Sequence, residues 1–397
     1  MKVKRHREDF QVREISRFPT SPPGNRQGGR HAVYQLEKSG LGTPEAASEI
    51  LTIWNLPRRH LSYGGLKDRH AVTSQTITIF EGPTSDIEQP GFTLRYLGQA
   101  EREFTAQDIQ ANEFDITLRE LPPQRAEGML NTIRSTGWAI PNYFDDQRFG
   151  SVGESGRFVA QPWCLADYEQ ALYLAIAEAN RHDRPDDRAQ KEILRAHWGD
   201  WQACKDRLER SHRRSIVTYL VDHPSGFKKA VALIRKDLRG LYVAAFQAKI
   251  WNEIVSRRLQ RLLPASELIT YPAYAGQWVF PKRLTAEQWA ALSECSIPLP
   301  SGRQTQWTVD IRELLEEVLN EFGIERHKLR FSHPRDVFFA RGLRDMLLIP
   351  RINQAEVGPD EYGASGTSKL RLCFQLAPGQ YATMLLKGLE LLASTEN

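Results

Sequence analysis

The residues of this chain best suited to chemistry gather in one short segment. Gly64-Gly65-Leu66-Lys67-Asp68-Arg69-His70 sets a single carboxylate between two cations, beside a histidine, after glycines that let the backbone approach a ligand closely. Cations within ~4–6 Å hold such a carboxylate ionised. An ionised, positioned carboxylate can attack the anomeric carbon of a sugar, as in glycosidases. The same residues also read as a polar turn whose Asp68 caps the next segment. Other chemistries lack their patterns. Gly64-Gly65-Leu66-Lys67-Asp68 is not a Walker A loop, because the four-residue gap before Gly-Lys is missing and Asp68 stands where Ser or Thr would bind magnesium. Gly150, Gly153 and Gly156 have the wrong spacing for a dinucleotide fingerprint. No H-E-x-x-H or G-x-S-x-G occurs, and the ten histidines never pair at i,i+4. Cys164, Cys204, Cys295 and Cys373 form no C-x-x-C pair, so neither a disulfide framework nor a zinc site is indicated.

The elements that must carry this loop follow from periodicity. Phe10-Gln-Val-Arg-Glu-Ile alternates as a strand with Phe10, Val12 and Ile15 turned inward, Ser21 to Gly29 reads as a loop, and His31 to Lys38 reads as a second strand. Thr43-Pro44-Glu45 is a helix start with Thr43 as N-cap, Ala46, Ile50, Ile53 and Trp54 share a face, and Pro57 ends the helix. Thr76-Ile-Thr-Ile-Phe is a strand by composition, so the Asp68 loop leads into a core sheet. Phe114 to Arg119 is a further strand, Pro123 to Thr136 a helix, and Pro141 to Gly150 a loop with aromatics and an arginine. Helical spacing then dominates: Tyr168 to Ala179, Asp187 to Arg195, Trp201 to Arg214, Phe227 to Leu238 and, strongest, Leu241 to Leu263. Leu370 to Leu376 returns to strand, before a Pro378-Gly379 turn and a helix over Thr383–Leu392. Strands, then helices, then a strand describe an α+β domain with a helical insertion, closed by the C-terminal strand.

Composition agrees with a globular chain. The 397 residues are 41% hydrophobic and 26% charged, with no run of apolar residues long enough for a transmembrane helix. The basic N-terminus has no apolar core of a signal peptide, and a reducing cytoplasm is the expected compartment. The 53 Lys+Arg and 49 Asp+Glu leave a net charge of +4. Its distribution says more: residues 182–261 hold 18 basic and 10 acidic residues and residues 1–30 hold 8 and 3, so the remainder is 4 − 8 − 5 = −9. Two basic zones on an otherwise acidic chain suggest a polyanion partner; the alternative is solvated helix faces with Arg–Asp pairs.

Gly65-Leu-Lys-Asp-Arg-His-Ala-Val-Thr-Ser-Gln resembles the signature of the TruD family of tRNA pseudouridine synthases. Further stretches resemble the same family in order: Lys4-x-x-x-Glu-Asp-Phe10-x-Val-x-Glu14, Asn112-Glu-Phe114-Asp-Ile-Thr-Leu-Arg119, Pro141-Asn-Tyr-Phe with Gln147-Arg-Phe-Gly, and Leu376-Ala-Pro-Gly-Gln-Tyr381-Ala-Thr-Met. Together they cover roughly residues 4–157 and 341–390. Asp145, Ala111 and Gln380 depart from the family pattern, and none of them removes a functional side chain.

The resemblance implies a discontinuous pseudouridine-synthase-type catalytic domain, with a mixed or antiparallel sheet and helices, over 1–165 and 335–397. A mostly helical insertion would span 166–334, within a family signature region of about 139–348. It implies that Asp68 is the nucleophile that detaches uracil from C1′ before the base rejoins through C5, with no metal or cofactor, and that the target is uridine 13 of the tRNA D-arm. A uridine in folded RNA must be extruded and held by stacking and edge hydrogen bonds. By resemblance Phe10 and Tyr381 stack on or wall the base, Asn112 binds its edge or the ribose, and Phe114 shapes the pocket. Lys4 contacts phosphate or pairs with Asp68, and Arg148 contacts phosphate or pairs with Asp145 or Asp146. Read by alternation alone, Phe10 and Phe114 are core strand residues and Lys4 a solvated terminal lysine; Tyr143 and Phe144 read as core. The insertion arginines Arg207, Arg210, Arg213, Arg214, Arg257, Arg258 and Arg261, with the N-terminal arm, are expected to hold tRNA phosphates. A monomer is expected. Two other readings use the same residues: a non-catalytic RNA-binding or folding protein of this fold, and an N-glycoside hydrolase or transferase acting on nucleosides that would need a second carboxylate, for which Asp145/Asp146 are the loop pair on offer.

Overall fold

The computed structural model describes residues 2–24, 28–331 and 333–394. Asn25 to Gln27, in the loop expected after the first strand, lie outside the described residues. The chain forms two compact units: Met1–Trp138 with Leu348–Asn397, and Ala139–Leu347.

The first unit begins with β1 (Phe10–Ser16) and β2 (His31–Lys38). On β1, Phe10 and Val12 turn inward and Gln11 and Arg13 outward as read from the sequence, but Glu14 and not Ile15 takes the third inward position, because the period of 2 puts Ile15 on the other face. Helix α1 (Thr43–Ile53) carries Pro44 second in its first turn, where a missing N–H costs nothing. It buries Ala46, Ala47, Ile50 and Leu51 against Tyr34, Leu36, Ile77 and Leu94. Fully burying a side chain such as Ile50 stabilises by roughly 1.5–3 kcal/mol. Then follow β3 (Leu61–Tyr63), β4 (Val72–Phe80), β5 (Ile87–Gln89), β6 (Phe92–Ala100), β7 (Ile109–Leu121) and α2 (Pro123–Arg134).

The second unit carries the short strand β8 (Ile140–Pro141) and helices α3 (Ala160–Cys164), α4 (Tyr168–Ile176), α5 (Pro185–Ala196), α6 (Trp201–Arg207), α7 (His212–Asp222), α8 (Phe227–Leu233) and α9 (Lys236–Leu262). A hairpin of β9 (Leu268–Ala273) and β10 (Gly276–Pro281) follows, with α10 (Ala286–Ser293), β11 (Ser296–Pro298), α11 (Val309–Glu321), β12 (Leu343–Asp345) and β13 (Leu347–Leu348). The chain then returns to the first unit as β14 (Arg351–Pro359), β15 (Ser368–Leu376) and α12 (Ala382–Ala393).

The strands of the first unit join in one sheet of order β14-β15-β7-β1-β4-β2-β6-β5, with β3 paired to β4. β1 and β4 run parallel and the other pairs are antiparallel, so the sheet is mixed. Register aligns Val12, Phe114 and Phe374 across three strands, and likewise Glu14, Asn112 and Leu376. These rows share one face. α1 covers that face at the β2–β4–β6 end, α2 and α12 pack together at the β14–β15 end, and the Asp68 loop reaches the strands between. The opposite face is polar and carries the Arg13–Glu113 and Arg371–Asp115 ion pairs.

Several local expectations change. Thr43 is the first helical residue, not the N-cap, because its buried hydroxyl is bonded elsewhere. The helix expected over Trp201–Arg214 breaks after Arg207, and Ser211 caps a new one by accepting from Arg214 N–H. The helix expected over Phe227–Leu238 ends at Leu233, and Lys236–Leu238 open α9. β6 and β14 were not expected. β14 is half-exposed and almost without apolar alternation, so only its pairing with β15 makes it a strand. It, not β15, forms that edge of the sheet.

Candidate active site

Asp68 lies on the segment joining β3 to β4. Gly64 is required there: a Cβ would sit 2.7 Å from Ile109 Cδ1 and 2.9 Å from Phe104 Cε1. Polar side chains hold the loop by its backbone at four points. Thr43 Oγ1 accepts from Lys67 N–H at 3.0 Å and donates to Gln75 Oε1 at 2.8 Å, while Gln75 Nε2 donates to Gly65 O at 3.1 Å. Lys38, buried at the end of β2, donates to Asp68 O at 3.0 Å and Lys67 O at 3.3 Å. Burial pushes its ammonium down to about 8, against the attraction of Asp68 and Glu45.

The Asp68 carboxylate forms an ion pair with Lys4 and accepts from His70 N–H at 2.9 Å. Partial burial alone would raise its pKa. The Lys4 and His70 hydrogen bonds and the charge of Lys4 outweigh it and hold the carboxyl below the usual range. Lys4 therefore takes the pairing alternative left open by the sequence. Its ammonium also lies 4.3 Å from the centroid of Phe10. The N-terminal arm that presents Lys4 is anchored by a buried cluster. Arg119 donates to Asp9 at 2.7 Å and Asp360 at 2.9 Å, and Lys2 exchanges backbone hydrogen bonds with Arg119.

Phe10 is 5% exposed and Phe114 is 9% exposed, meeting edge to face at 6.3 Å; Phe114 stacks on Phe374 at 5.3 Å. Both rings are packed into the sheet face beside Asp68. Asn112 is partly exposed, and Lys67 donates to its Oδ1 at 2.6 Å. The same ammonium lies 2.9 Å from Glu14 Oε2, whose carboxylate is fully buried and accepts from Thr76 N–H at 3.1 Å. Tyr381, the N-cap of α12, is partly exposed five residues beyond Leu376, which pairs with Asn112 in register.

Arg148 belongs to the second unit, on the short 3-10 helix Asp146–Phe149, with its guanidinium 5.8 Å from the Phe144 ring centroid. The carboxylates of Asp145 and Asp146 are occupied by backbone N–H groups of Asp146 and Tyr274. Tyr143 is fully buried and stacked on Trp278. Four of the insertion arginines are ion-paired: Arg213 with Asp187, Arg257 with Glu321, Arg258 with Asp310 and Arg261 with Glu317. Exposed Arg184, Arg188 and Arg210 make no ion pair among the described residues.

Sequence reading missed the loop-holding roles of Lys38, Thr43 and Gln75. No local signal marks them, since Lys38 and Gln75 reach the loop from the sheet and Thr43 from the start of α1, all distant in sequence from the atoms they bond or from each other. Glu14 and Lys67 stood inside quoted motifs, but their pairing across β1 needed the fold.

The family model of tRNA pseudouridine synthase D (TruD) matches residues 1–389. The probable tRNA pseudouridine synthase D 1 of Methanococcus maripaludis is 26% identical over 98% of both chains. The tRNA pseudouridine synthase D of Aquifex aeolicus is 24% identical, again over 98% of each. A crystal structure of a TruD protein from Methanosarcina mazei superposes with a TM-score of 0.71 and 23% identity, covering 98% of this chain and 93% of that one. That likeness establishes the α+β fold with its mixed sheet. With a motif-bearing loop, its sheet and nearly the whole length in agreement, the chain belongs to the TruD family of tRNA pseudouridine synthases, which are isomerases.

Proposed function

We propose that this enzyme converts one uridine of a tRNA, uridine 13 of the D-arm by family resemblance, to pseudouridine with Asp68 as nucleophile. One observation carries the reading: a carboxylate kept ionised by Lys4 and the His70 N–H, on a loop held by its backbone at four points. The carboxylate attacks C1′, the C1′–N1 bond breaks, and its electron pair leaves with uracil. The base turns, C5 bonds to C1′ and the carboxylate departs. C5 loses a proton and N1 gains one, so the step is an isomerisation that consumes nothing and uses no cofactor.

Phe10 and Tyr381 wall the base, Asn112 binds its edge, Phe114 backs the pocket, and Lys4 orients Asp68. Arg148 and the exposed cations of the insertion, residues 166–334, join the N-terminal arm in holding phosphates. The α9 arginines answered by carboxylates are the poorer candidates for that role. The enzyme acts as a monomer on cytoplasmic tRNA. No helix of the described residues is long and apolar enough to cross a membrane.

The test is incubation with uridine-labelled tRNA followed by nucleoside analysis. Pseudouridine formation that disappears in Asp68→Asn is the expected result. Free uracil would instead indicate a hydrolase, and tRNA binding without product a passive RNA-binding protein.

A further inference from the structure

The Lys67–Glu14 pair sits next to Asp68 but does not touch its carboxylate. Lys67 is nearly buried, with 8% of its side chain exposed, and Glu14 has none. A buried ion pair is seldom a net gain in stability over apolar packing. What this one contacts is therefore informative. An ammonium can only donate, so the Asn112 atom at 2.6 Å must be the amide oxygen. Chemistry thus settles which way the amide faces, a choice that is otherwise an assignment. Nδ2, with its two N–H donors, is left with no partner among the described residues on a partly exposed side chain. Glu14 Oε2 makes no hydrogen bond among the described residues, so Glu14 acts on the ammonium by charge.

We propose that Lys67 and Glu14 are positioning residues that hold Asn112 as a hydrogen-bond donor to a carbonyl oxygen of the uracil. The inference rests on the nucleophile reading of Asp68. When C1′–N1 breaks, the electron pair on N1 spreads onto O2 and O4, and a donor already aimed at one of them stabilises that charge without reorganising. The cation behind Oδ1 polarises the amide and strengthens its N–H groups.

Single-turnover rates with tRNA test this. Removing Lys67 alone would orphan a buried carboxylate and could unfold the chain. Asn112→Asp avoids this, because it preserves an acceptor for Lys67 while a carboxylate oxygen takes the place of the donor. Its expected loss is about a hundred-fold in rate, the scale of one oxyanion donor, with tRNA affinity unchanged. The pair Glu14→Gln with Lys67→Met, which removes both charges together, should slow the wild-type background and add nothing in an Asn112→Ala background. An Asn112→Asp enzyme at wild-type rate, or an additive loss in the combined variant, overturns the inference while leaving Asp68 as nucleophile. Turnover surviving in Asp68→Asn overturns the nucleophile reading, and the inference with it.

Discussion

Around Asp68, charged side chains from three distant segments converge on one loop, whereas along α9 each of three arginines is answered by a carboxylate of α11. Lys4 comes from the N-terminal arm, Lys38 from the end of β2, and Glu14 from β1. They leave one ionised carboxylate partly open. On α9, Arg257, Arg258 and Arg261 meet Glu321, Asp310 and Glu317, and the charges close on themselves. The insertion is the more basic stretch by count, yet the less numerous charges near Asp68 are those arranged about a reactive group. Pairing, rather than number, separates a site from a solvated face.

The contrast is open to attack at several points, the most damaging first. Arg119 is buried between Asp9 and Asp360, so Arg119→Met strands two carboxylates and should cost about 3–5 kcal/mol in a denaturant titration. A loss no larger than that of Arg261→Ala, an exposed pair worth about 0.2–1 kcal/mol, would erase the difference between the two regions. Next, Arg184, Arg188 and Arg210 changed together to Ala should weaken tRNA binding and flatten its dependence on log salt by roughly 0.7–0.9 for each phosphate no longer neutralised. The matched triple change at Arg257, Arg258 and Arg261 should leave that slope alone. Equal slopes would return α9 to the RNA interface. The smallest effect is at Lys4. Without it burial acts unopposed by that cation, so the Asp68 pKa rises. Activity, lost as pH falls through this pKa, should then fail at a higher pH in Lys4→Met than in the wild type, with little change near neutrality. An unmoved acid limb in the pH–rate profile would mean that Lys4 does not tune Asp68.

Much of the first unit was legible because its strands obey period 2 and its helix α1 carries Pro44 in the first turn. Where periodicity was weak, reading failed for identifiable reasons. β14 is an edge strand with few apolar residues, and Thr43 looked like a cap because a hydroxyl before Pro-Glu usually is one. Its hydroxyl instead bonds Lys67 and Gln75, a choice made 24 and 32 residues away. The break at Leu208–Ser211 was visible only as a serine that could equally have stayed helical.

Alternation and element order were enough for the α+β class, and the resemblance of the ordered motifs pointed to the family, the mixed sheet and the loop bearing Asp68. They could not say which cation pairs with which carboxylate; the fold alone did that. Register across β1 and β7 places Glu14 opposite Asn112, and the Asp68 loop folds over them to insert Lys67 beside both. Coulomb attraction acts over a few ångströms of space, and spacing along a chain reveals it only for neighbours on one helix, such as Lys249 and Glu253.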